Sequence, residues 1–498
     1  MSLARRSISS ISWNAIASLF ALPVGVIQYI VLARLLPVEY FGIVAGIGAL
    51  VALSGVAAEF GLNSAFLHRS AETEDEDQAA ALYFTLRLCF EAIWMVLLIT
   101  YGTLFLTGLQ LLTLVVLTIT GGLSRAISTP SMLLIRRVQH RRLAVLDLTT
   151  SLIVALLSMA IAFLSASIWA LLIASVVSLV WRFIGLYLWK PVWKPRLALT
   201  RAGARYFLSF GGRTVVSSLL DASLDNLDDL WARSYLGNQL LGFYARAYRL
   251  AIFPRNLLAM PVNQVISGAY AELKFDRPGL SRAFDRTIVL LTRTGFFLAG
   301  GLAVTAPHLI PLLIGERWIP MVSAFQWMLV FSLLDPIKVA ISGVLVAVGR
   351  PEKVILVRIV QLITLVGGLF LLGSRYQVDG VALAMDGMIL VGIGLSLALV
   401  KPYIDFSPAR LLLAPLVGLG IGVGLAIGVA ANTQAASSHW LGLILKGGLF
   451  SCGYLAALWL IEKENLRQVW NELVKNSSWV ERIRPYINSG GNSSQEKS

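Results

Sequence analysis

The sequence predicts an all-α protein that crosses a membrane many times. Of its 498 residues, 57% are hydrophobic and 14% are charged, and the mean hydropathy is +0.77. Nearly half the residues of an ordinary soluble domain are apolar as well, so the decisive feature is their arrangement in long uncharged runs. Runs of about 20 residues, the length that a helix needs to cross a ~30 Å hydrocarbon core, recur along nearly the whole chain. Each run therefore predicts one membrane-spanning helix.

About fourteen spans are predicted in this way. The first follows Arg5 and Arg6 and has no small-residue cleavage site, so it is interpreted as a retained span and not as a signal peptide. The predicted spans lie near residues 11–32, 40–62, 82–104, 108–130, 144–164, 168–189, 206–227, 242–263, 288–306, 325–347, 354–373, 381–400, 411–430 and 440–461. After the last span, one helical face carries Leu466, Val469, Trp470, Leu473 and Val474. This face predicts an amphipathic helix on the inner membrane surface, followed by a disordered polar end.

The distribution of positive charge predicts the orientation of these helices. Lys and Arg are concentrated in alternate connections, for example at residues 136–142, 190–205 and 274–286. The opposite connections contain few basic residues beyond Arg34, Arg233, Arg317 and Arg375. Cytoplasmic loops carry the excess of Lys and Arg, so both termini are predicted to be cytoplasmic. Much of the net charge of +14 is therefore explained by topology, and no nucleic-acid partner is predicted.

Several functional classes lack their sequence signals. The connections between the predicted spans are too short for an extramembrane catalytic domain, and no Gly-x-x-x-x-Gly-Lys-Ser/Thr phosphate loop occurs in the sequence. Cys89 and Cys452 lie in apolar runs, so no disulfide framework is expected. The histidines lack the spacing of metal ligands: His68, His140, His308 and His439. No metal and no cofactor is predicted.

The chain contains an internal repeat. The stretch ARLLPVEYFGIVA (Ala33–Ala45) resembles ARSYLGNQLLGFYA (Ala232–Ala245), and SIWALLIAS (Ser167–Ser175) resembles DGVALAMDG (Asp379–Gly387). Offsets of about 200 residues indicate a duplicated unit of six helices, whose two copies share one orientation and are related by a pseudo-twofold axis along the membrane normal. The predicted divisions are an N-terminal lobe at 1–195, a C-terminal lobe at 196–405, a helix pair at 406–461 and a tail at 462–498.

Polar residues line matching faces of the first and seventh predicted spans. Arg213, Ser217 and Asp221 share one face of the seventh span. The first span has polar residues on the matching face: Asn14, Ser18 and Gln28. A charge at the bilayer centre costs ~2.5–3.5 kcal/mol even on a lenient scale. We therefore expect both faces to contact protein or water, with a cavity between the two lobes.

Other charged and small residues inside the spans predict local contacts. Two pairs of opposite charges lie one helical turn apart and predict intrahelical ion pairs: Arg87 with Glu91 and Asp335 with Lys338. Arg249 and Arg255 lie near prolines, where an opened helix lets a guanidinium bind a phosphate in bidentate fashion. A stripe of small residues predicts the close approach of another helix: Gly420, Gly424 and Gly428.

Six stretches, taken in order along the chain, resemble one transporter family. They are ARLLPVEYFGIVA, AEFGLNSAFLHR, LLIRRVQHRRLAVLDL, SIWALLIAS, NLDDLWARSYLGNQLLGFYARAYRLAIFP and LIPLLIGERW. The family is the Wzx-type polysaccharide-transport flippases of the multidrug/oligosaccharidyl-lipid/polysaccharide (MOP) exporter superfamily. The resemblance implies two six-helix lobes around a central cavity, two additional C-terminal helices, and a lipid-linked glycan as the substrate.

The implied function is the translocation of an undecaprenyl-pyrophosphate-linked oligosaccharide from the inner to the outer leaflet by alternating access, without covalent chemistry. We expect the anionic linkage to contact Arg213, Arg249, Arg255 and Arg293. We expect sugar or water to contact Asn14, Ser18, Gln28 and Asp221. The expected location is the bacterial inner membrane. The expected partners are membrane lipids, the lipid-linked oligosaccharide, and a polysaccharide polymerase with its chain-length regulator.

Two other functions compete with this one. An ion-coupled small-molecule exporter of the same superfamily would need a membrane-buried carboxylate, for which Asp386 and Glu91 are the candidates. A membrane polysaccharide polymerase or ligase would need catalytic residues on a large extramembrane loop, which the sequence does not provide.

Overall fold

The protein is a bundle of long helices joined by short turns. A computed structural model describes residues 23–68, 76–137, 139–256, 260–431 and 438–476, and no strand occurs in these ranges. The prediction of an all-α membrane protein is confirmed. Several sequence predictions lie outside the described residues: Asn14, Ser18, residues 11–22 of the first predicted span, and the disordered polar end.

The helices that position the charged residues follow one another in chain order. They are α1 (Pro23–Leu35), α2 (Val38–Glu59), α3 (Leu62–His68), α4 (Glu76–Phe105), α5 (Gly108–Ala126), α6 (Thr129–Arg136), α7 (His140–Ser165), α8 (Trp169–Phe183), α9 (Arg201–Tyr235), α10 (Gly237–Ala251), α11 (Met260–Glu272), α12 (Arg277–Ile314), α13 (Val322–Ala347), α14 (Pro351–Gly368), α15 (Ser374–Val400), α16 (Pro408–Ala431) and α17 (His439–Asn476). We call α1–α8 the N-half and α9–α15 the C-half.

Ten helical segments in the described ranges are long and apolar enough to cross a membrane. One of them, from Pro351 to Val400, contains both α14 and α15. Helix α9 has 35 residues but carries many charges, and α10 has 15 residues. The protein is therefore a multi-pass membrane protein, while the number of fourteen spans stays a prediction. Within the span predicted at 242–263, α10 ends at Ala251, shortly before Pro254, which lacks a backbone donor.

The two halves contact each other through a reciprocal pair of glycines. A Cβ atom on Gly42 of α2 would overlap the backbone oxygen of Asn238, and a Cβ atom on Gly242 of α10 would overlap the backbone oxygen of Val38. Gly42 thus makes room for the carbonyl of Asn238, four residues before Gly242, and Gly242 makes room for the carbonyl of Val38, four residues before Gly42. Gly42 and Gly242 also occupy the same position in the two copies of the repeat. This reciprocity is the relation expected of a twofold axis between the copies.

The halves are also joined at the end of the bundle where α1 and α12 finish, which we call the Arg34 end. One apolar core there contains residues of both halves, among them Ala33, Phe41, Trp231 and Trp318. Trp318 is fully buried, and its ring makes edge contacts with Phe41 at 5.6 Å and Phe243 at 5.8 Å. The N-half and the C-half are therefore in close contact at this end.

The C-terminal pair α16 and α17 packs against α12. The glycines predicted to mediate this packing are on the wrong face, because a Cβ atom on Gly420 or Gly424 would have open space around it. Gly418 and Gly422, two residues earlier in the same stretch, face Tyr454 and Phe450 instead. Because every second residue of this stretch is glycine, two different faces of α16 carry small residues. The face that packs is the one that meets the large aromatic side chains of α17. Helix α17 then continues to Asn476, with a non-helical φ of −115° at Glu462.

Candidate functional site

A cluster of charged side chains lies between helices of the C-half. On α9, Asp221 forms an ion pair with Arg358 of α14 at 2.9 Å. Arg358 also donates a hydrogen bond to the hydroxyl of Ser217 at 2.7 Å, one turn before Asp221. The polar face predicted for the seventh span is thus bound to α14. The pair is only half-buried, with 47% of the Asp221 side chain and 29% of the Arg358 side chain exposed.

The second part of this cluster is centred on a buried carboxylate of α13. Asp335 accepts contacts of 2.9 Å from both Lys338, one turn further along α13, and Arg255, which follows α10. The predicted intrahelical pair of Asp335 with Lys338 is therefore present. Exposed Asp225 of α9 lies within electrostatic range of Lys338 and Arg255 and connects the two parts. We call these residues the C-half charge cluster: Ser217, Asp221, Asp225, Arg255, Asp335, Lys338 and Arg358.

The exposure of this cluster indicates that it borders a polar space. Its carboxylates and cations balance, yet about a quarter of the Arg255 and Lys338 side chains is exposed. Ionisable side chains inside membrane-spanning helices face the bundle interior or water, because exposure to acyl chains is costly. The half-exposed ion pairs are therefore suited to contact hydroxyl groups, which can both donate to carboxylates and accept from guanidinium groups.

Two of the predicted phosphate-binding arginines have no ion-pair partner in the described part of the chain. Arg213 of α9 is exposed and donates to the backbone oxygen of Ser209 at 3.3 Å, with its guanidinium 5.9 Å from the Phe210 ring. Arg249 of α10 is exposed and lies beside buried Arg246. Their positive charges are therefore not neutralised by a described carboxylate.

Arg293 and Gln28 lie away from the C-half charge cluster. Arg293 forms a close ion pair with Glu462 of α17 and donates to the Leu411 carbonyl of α16 at 2.7 Å, so it joins α12 to the C-terminal pair. Gln28 of α1 donates to the Ser158 hydroxyl of α7 at 2.8 Å, within the N-half. The structure thus brings Asp221 and Arg255 together and places Arg293 and Gln28 elsewhere.

The N-half contains its own charge cluster, which is more deeply buried. Glu91 of α4 accepts two hydrogen bonds from Arg125 of α5, at 2.9 and 3.0 Å, and lies 3.5 Å from Arg87. Glu91 has no exposed side-chain surface, and Arg87 is 1% exposed. The Arg125 guanidinium also lies 4.3 Å from the centre of the Trp94 ring. Both oxygens of Glu91 are therefore occupied by a bidentate contact.

Asp386 of α15 is buried like Glu91 but, unlike Glu91, is not bound by an arginine of the described residues. It is 5% exposed, and neither of its carboxylate oxygens has a hydrogen-bond partner among the described residues. Buried polar groups are nearly always hydrogen-bonded, so an unpartnered carboxylate in a helical core indicates a functional group or a bound species. Of the two candidates for ion coupling, Asp386 is thus the one with free acceptors.

Sequence reasoning did not assign Arg358 or Arg125 to a site. Arg125 is the one basic residue of α5, Arg358 lies in the apolar part of α14, and each is bound to a carboxylate of a neighbouring helix. The sequence does indicate that such residues need partners, because an unpaired charge inside a membrane span is costly. An isolated basic residue in one span and an isolated acidic residue in another are therefore candidates for an ion pair.

The fold and sequence are similar to those of known membrane proteins. Residues 31–323 match the model of the family described as polysaccharide biosynthesis protein, which is more than half of the chain. The chain is 23% identical over 459 residues to the lipopolysaccharide biosynthesis protein WzxC of Escherichia coli (strain K12), covering 90% of each protein. It is 22% identical over 388 residues to an uncharacterized membrane protein in the cps region of Klebsiella pneumoniae, covering 74% of this chain and 77% of that protein.

Two solved structures share the fold. The lipid II flippase MurJ in an inward closed conformation superposes with a TM-score of 0.73 and 13% identity, covering 91% of this chain and 99% of that chain. An inward-facing multidrug resistance MATE family transporter of the MOP superfamily gives a TM-score of 0.59 and 16% identity, covering 80% of this chain and 98% of that chain. At these identities the similarity establishes the architecture.

Proposed function

Because the chain belongs to the polysaccharide biosynthesis protein family and has the fold of a MOP-superfamily transporter, we propose that it flips an undecaprenyl-pyrophosphate-linked oligosaccharide from the inner to the outer leaflet. Each unpaired hydroxyl moved into hydrocarbon costs roughly 2–7 kcal/mol. A glycan with many hydroxyls therefore needs a polar path, while its isoprenoid tail stays in lipid. Alternating access between two lobes provides this path.

The proposal depends most on Arg213 and Arg249. Both are exposed on helices of the C-half, and neither has an ion-pair partner among the residues that the structure describes. A guanidinium without a carboxylate partner is available to a pyrophosphate, which it binds through paired, charge-assisted hydrogen bonds. In this proposal the C-half charge cluster contacts sugar hydroxyls, and Arg255 exchanges part of its contact with Asp335 for the substrate.

We place the protein in the bacterial inner membrane with both termini in the cytoplasm. The supporting observation is the concentration of Lys and Arg in alternate connections. In this orientation the Arg34 end lies on the outer side. The closed contact between the halves at that end would then correspond to a state in which substrate enters from the cytoplasmic side.

We expect the double variant Arg213→Ala/Arg249→Ala to reduce translocation at least tenfold, because a tenfold loss corresponds to only ~1.4 kcal/mol of substrate interaction. The measurement is the rate at which a lipid-linked oligosaccharide becomes accessible on the far side of reconstituted vesicles. The matched control is Arg182→Ala, which removes an exposed ion pair with Asp147 inside the N-half. Equal rates for the double variant and the control would contradict the proposed binding role.

Asp386 favours one alternative, an ion-coupled exporter of small molecules. Its two unpartnered oxygens could take up a proton or a cation during transport. The same vesicles distinguish the functions. The exporter is supported if purified protein moves no lipid-linked oligosaccharide but moves small organic cations under an ion gradient, and if Asp386→Asn abolishes that movement.

A further inference from the structure

Four arginines join the two halves at the Arg34 end. They are Arg34, Arg233, Arg246 and Arg317. Three of them, Arg34, Arg233 and Arg317, are among the few basic residues in the connections that otherwise avoid positive charge. Topology alone gives no reason for arginines on this side. Their contacts supply one.

Two of these arginines cap helix ends of the opposite half. Arg34, at the end of α1, donates to the carbonyls of Leu313 at 2.8 Å and Leu312 at 2.6 Å, near the end of α12. In return, Arg317 and the indole of Trp318 both donate to the carbonyl of Ala33 in α1. The last carbonyls of a helix lack intrahelical partners and carry partial negative charge, so a cation is favoured there. The contact is thus reciprocal between the halves.

The other two arginines contact neutral side chains of the N-half. Arg233 of α9 donates to the side-chain oxygen of Gln110 at 3.1 Å. The buried guanidinium of Arg246 lies 3.6 Å from the centre of the Phe41 ring and 4.6 Å from that of Tyr29. These are cation–π contacts across the interface between the halves.

The partners of these arginines differ in kind from those inside each half. Buried Glu91 and Asp335 are bound by cations of their own half, and Asp221 is paired with Arg358 of the same half. The four interface arginines contact carbonyls, an amide and aromatic rings instead. Separating a buried ion pair leaves two charges without partners, which is costly. Separating these contacts leaves only one cation, which entering water can hydrate. The interface contacts are therefore the ones that can be released.

We propose that Arg34, Arg233, Arg246 and Arg317 form a releasable seal, the outer gate of the transporter. The carboxylate ion pairs keep each half rigid, and the neutral-partner contacts separate when the halves rock apart. The repeat supports this assignment, because Arg34 and Arg233 follow the same alanine in the two copies of the motif. The rocking of the halves and its direction, with this end opening toward the outer side, rest on the alternating access of the proposed function.

The gate is tested by measuring the distance between the halves at the Arg34 end. Spin labels on Ser165→Cys at the end of α7 and Ser374→Cys at the start of α15 report this distance, since both serines are exposed. The background carries Cys89→Ser and Cys452→Ser. In lipid nanodiscs, Arg34→Ala/Arg317→Ala is expected to raise the ratio of long to short distances about tenfold, a change of ~1.4 kcal/mol. Arg182→Ala is expected to leave the distances unchanged.

Two further variants guard against unfolding as an explanation. Arg34→Lys/Arg317→Lys keeps the charges but lacks the planar fork of the guanidinium, so it is expected to shift the distances less than the alanine pair. The single variant Arg233→Gln is expected to increase the fraction of long distances. The exchange Arg233→Gln/Gln110→Arg places the arginine on the other side of the interface and is expected to return the distances to those of the wild type. Unchanged distances in monodisperse Arg34→Ala/Arg317→Ala protein would overturn the gate. The distance measurement contains no substrate, so its outcome is independent of the translocation assay. Unchanged distances would overturn the gate even if the protein moves the oligosaccharide, and a lack of translocation would overturn the proposed function even if the distances change.

Discussion

Replacing Glu91 with alanine is expected to lower the stability of the protein by about 3–5 kcal/mol, the usual cost of removing one partner of a buried ion pair. Glu91 has no exposed side-chain surface and holds Arg125 in a bidentate contact with Arg87 nearby. Without it, the buried guanidinium of Arg87 and the partly buried guanidinium of Arg125 lose the carboxylate that they share. The repulsion between these two cations would then push apart the helices that carry them, α4 and α5.

The measurement is the temperature at which detergent-solubilised protein loses its monodisperse elution peak. The control is Asp147→Ala, which removes an ion pair whose two side chains are 47% and 55% exposed. Exposed pairs contribute about 0–1 kcal/mol, so this variant should elute like the wild type. Equal thermal stability of the two variants would show that the N-half charge cluster does not hold the helices together.

A second large effect is expected from Gly42→Ala. The new Cβ atom would overlap the backbone oxygen of Asn238, which cannot move without shifting the whole of α10. Helix propensity alone predicts the opposite effect, since glycine in a helix is less favourable than alanine by ~0.8–1.0 kcal/mol. Gly48, six residues further along α2, has nothing within 4 Å of its Cβ position. Gly48→Ala is therefore the matched control.

We expect Gly42→Ala to lower thermal stability and to reduce translocation severalfold, while Gly48→Ala leaves stability unchanged or slightly increased. Thermal elution profiles and vesicle translocation measure the two effects. A Gly42→Ala protein as stable and active as Gly48→Ala would mean that α2 and α10 do not pack as tightly as the structure has them.

Much of the fold followed from the sequence because its signals are local. Long apolar runs gave the multi-pass helical class, and the ion pairs within one helix, Arg87 with Glu91 and Asp335 with Lys338, followed from a spacing of one turn. The repeat was visible in short stretches, and the position of Gly42 and Gly242 in it corresponds to their reciprocal contact.

The contacts between helices did not follow from the sequence. The pairing of Arg293 with Glu462 joins residues 169 positions apart, and periodicity identifies the face of a helix but not the neighbour that the face meets. This is why Arg293, an apparent phosphate ligand, lies against the C-terminal pair. The choice between the two glycine faces of α16 depended on Phe450 and Tyr454 in the same way. Glu91 and Asp386 are both buried, and what distinguishes them in the described part of the chain is the arginine that a neighbouring helix supplies to Glu91 and not to Asp386.

We propose that this chain carries a lipid-linked oligosaccharide across the membrane after its synthesis and before its polymerisation. The most direct measurement is the leaflet on which undecaprenyl-linked oligosaccharide accumulates in intact cells when the protein is depleted, read by a membrane-impermeant glycosidase or lectin. We expect accumulation on the inner leaflet, where the oligosaccharide is protected from the probe. Accumulation on the outer leaflet would contradict it, because the blocked step would then follow translocation.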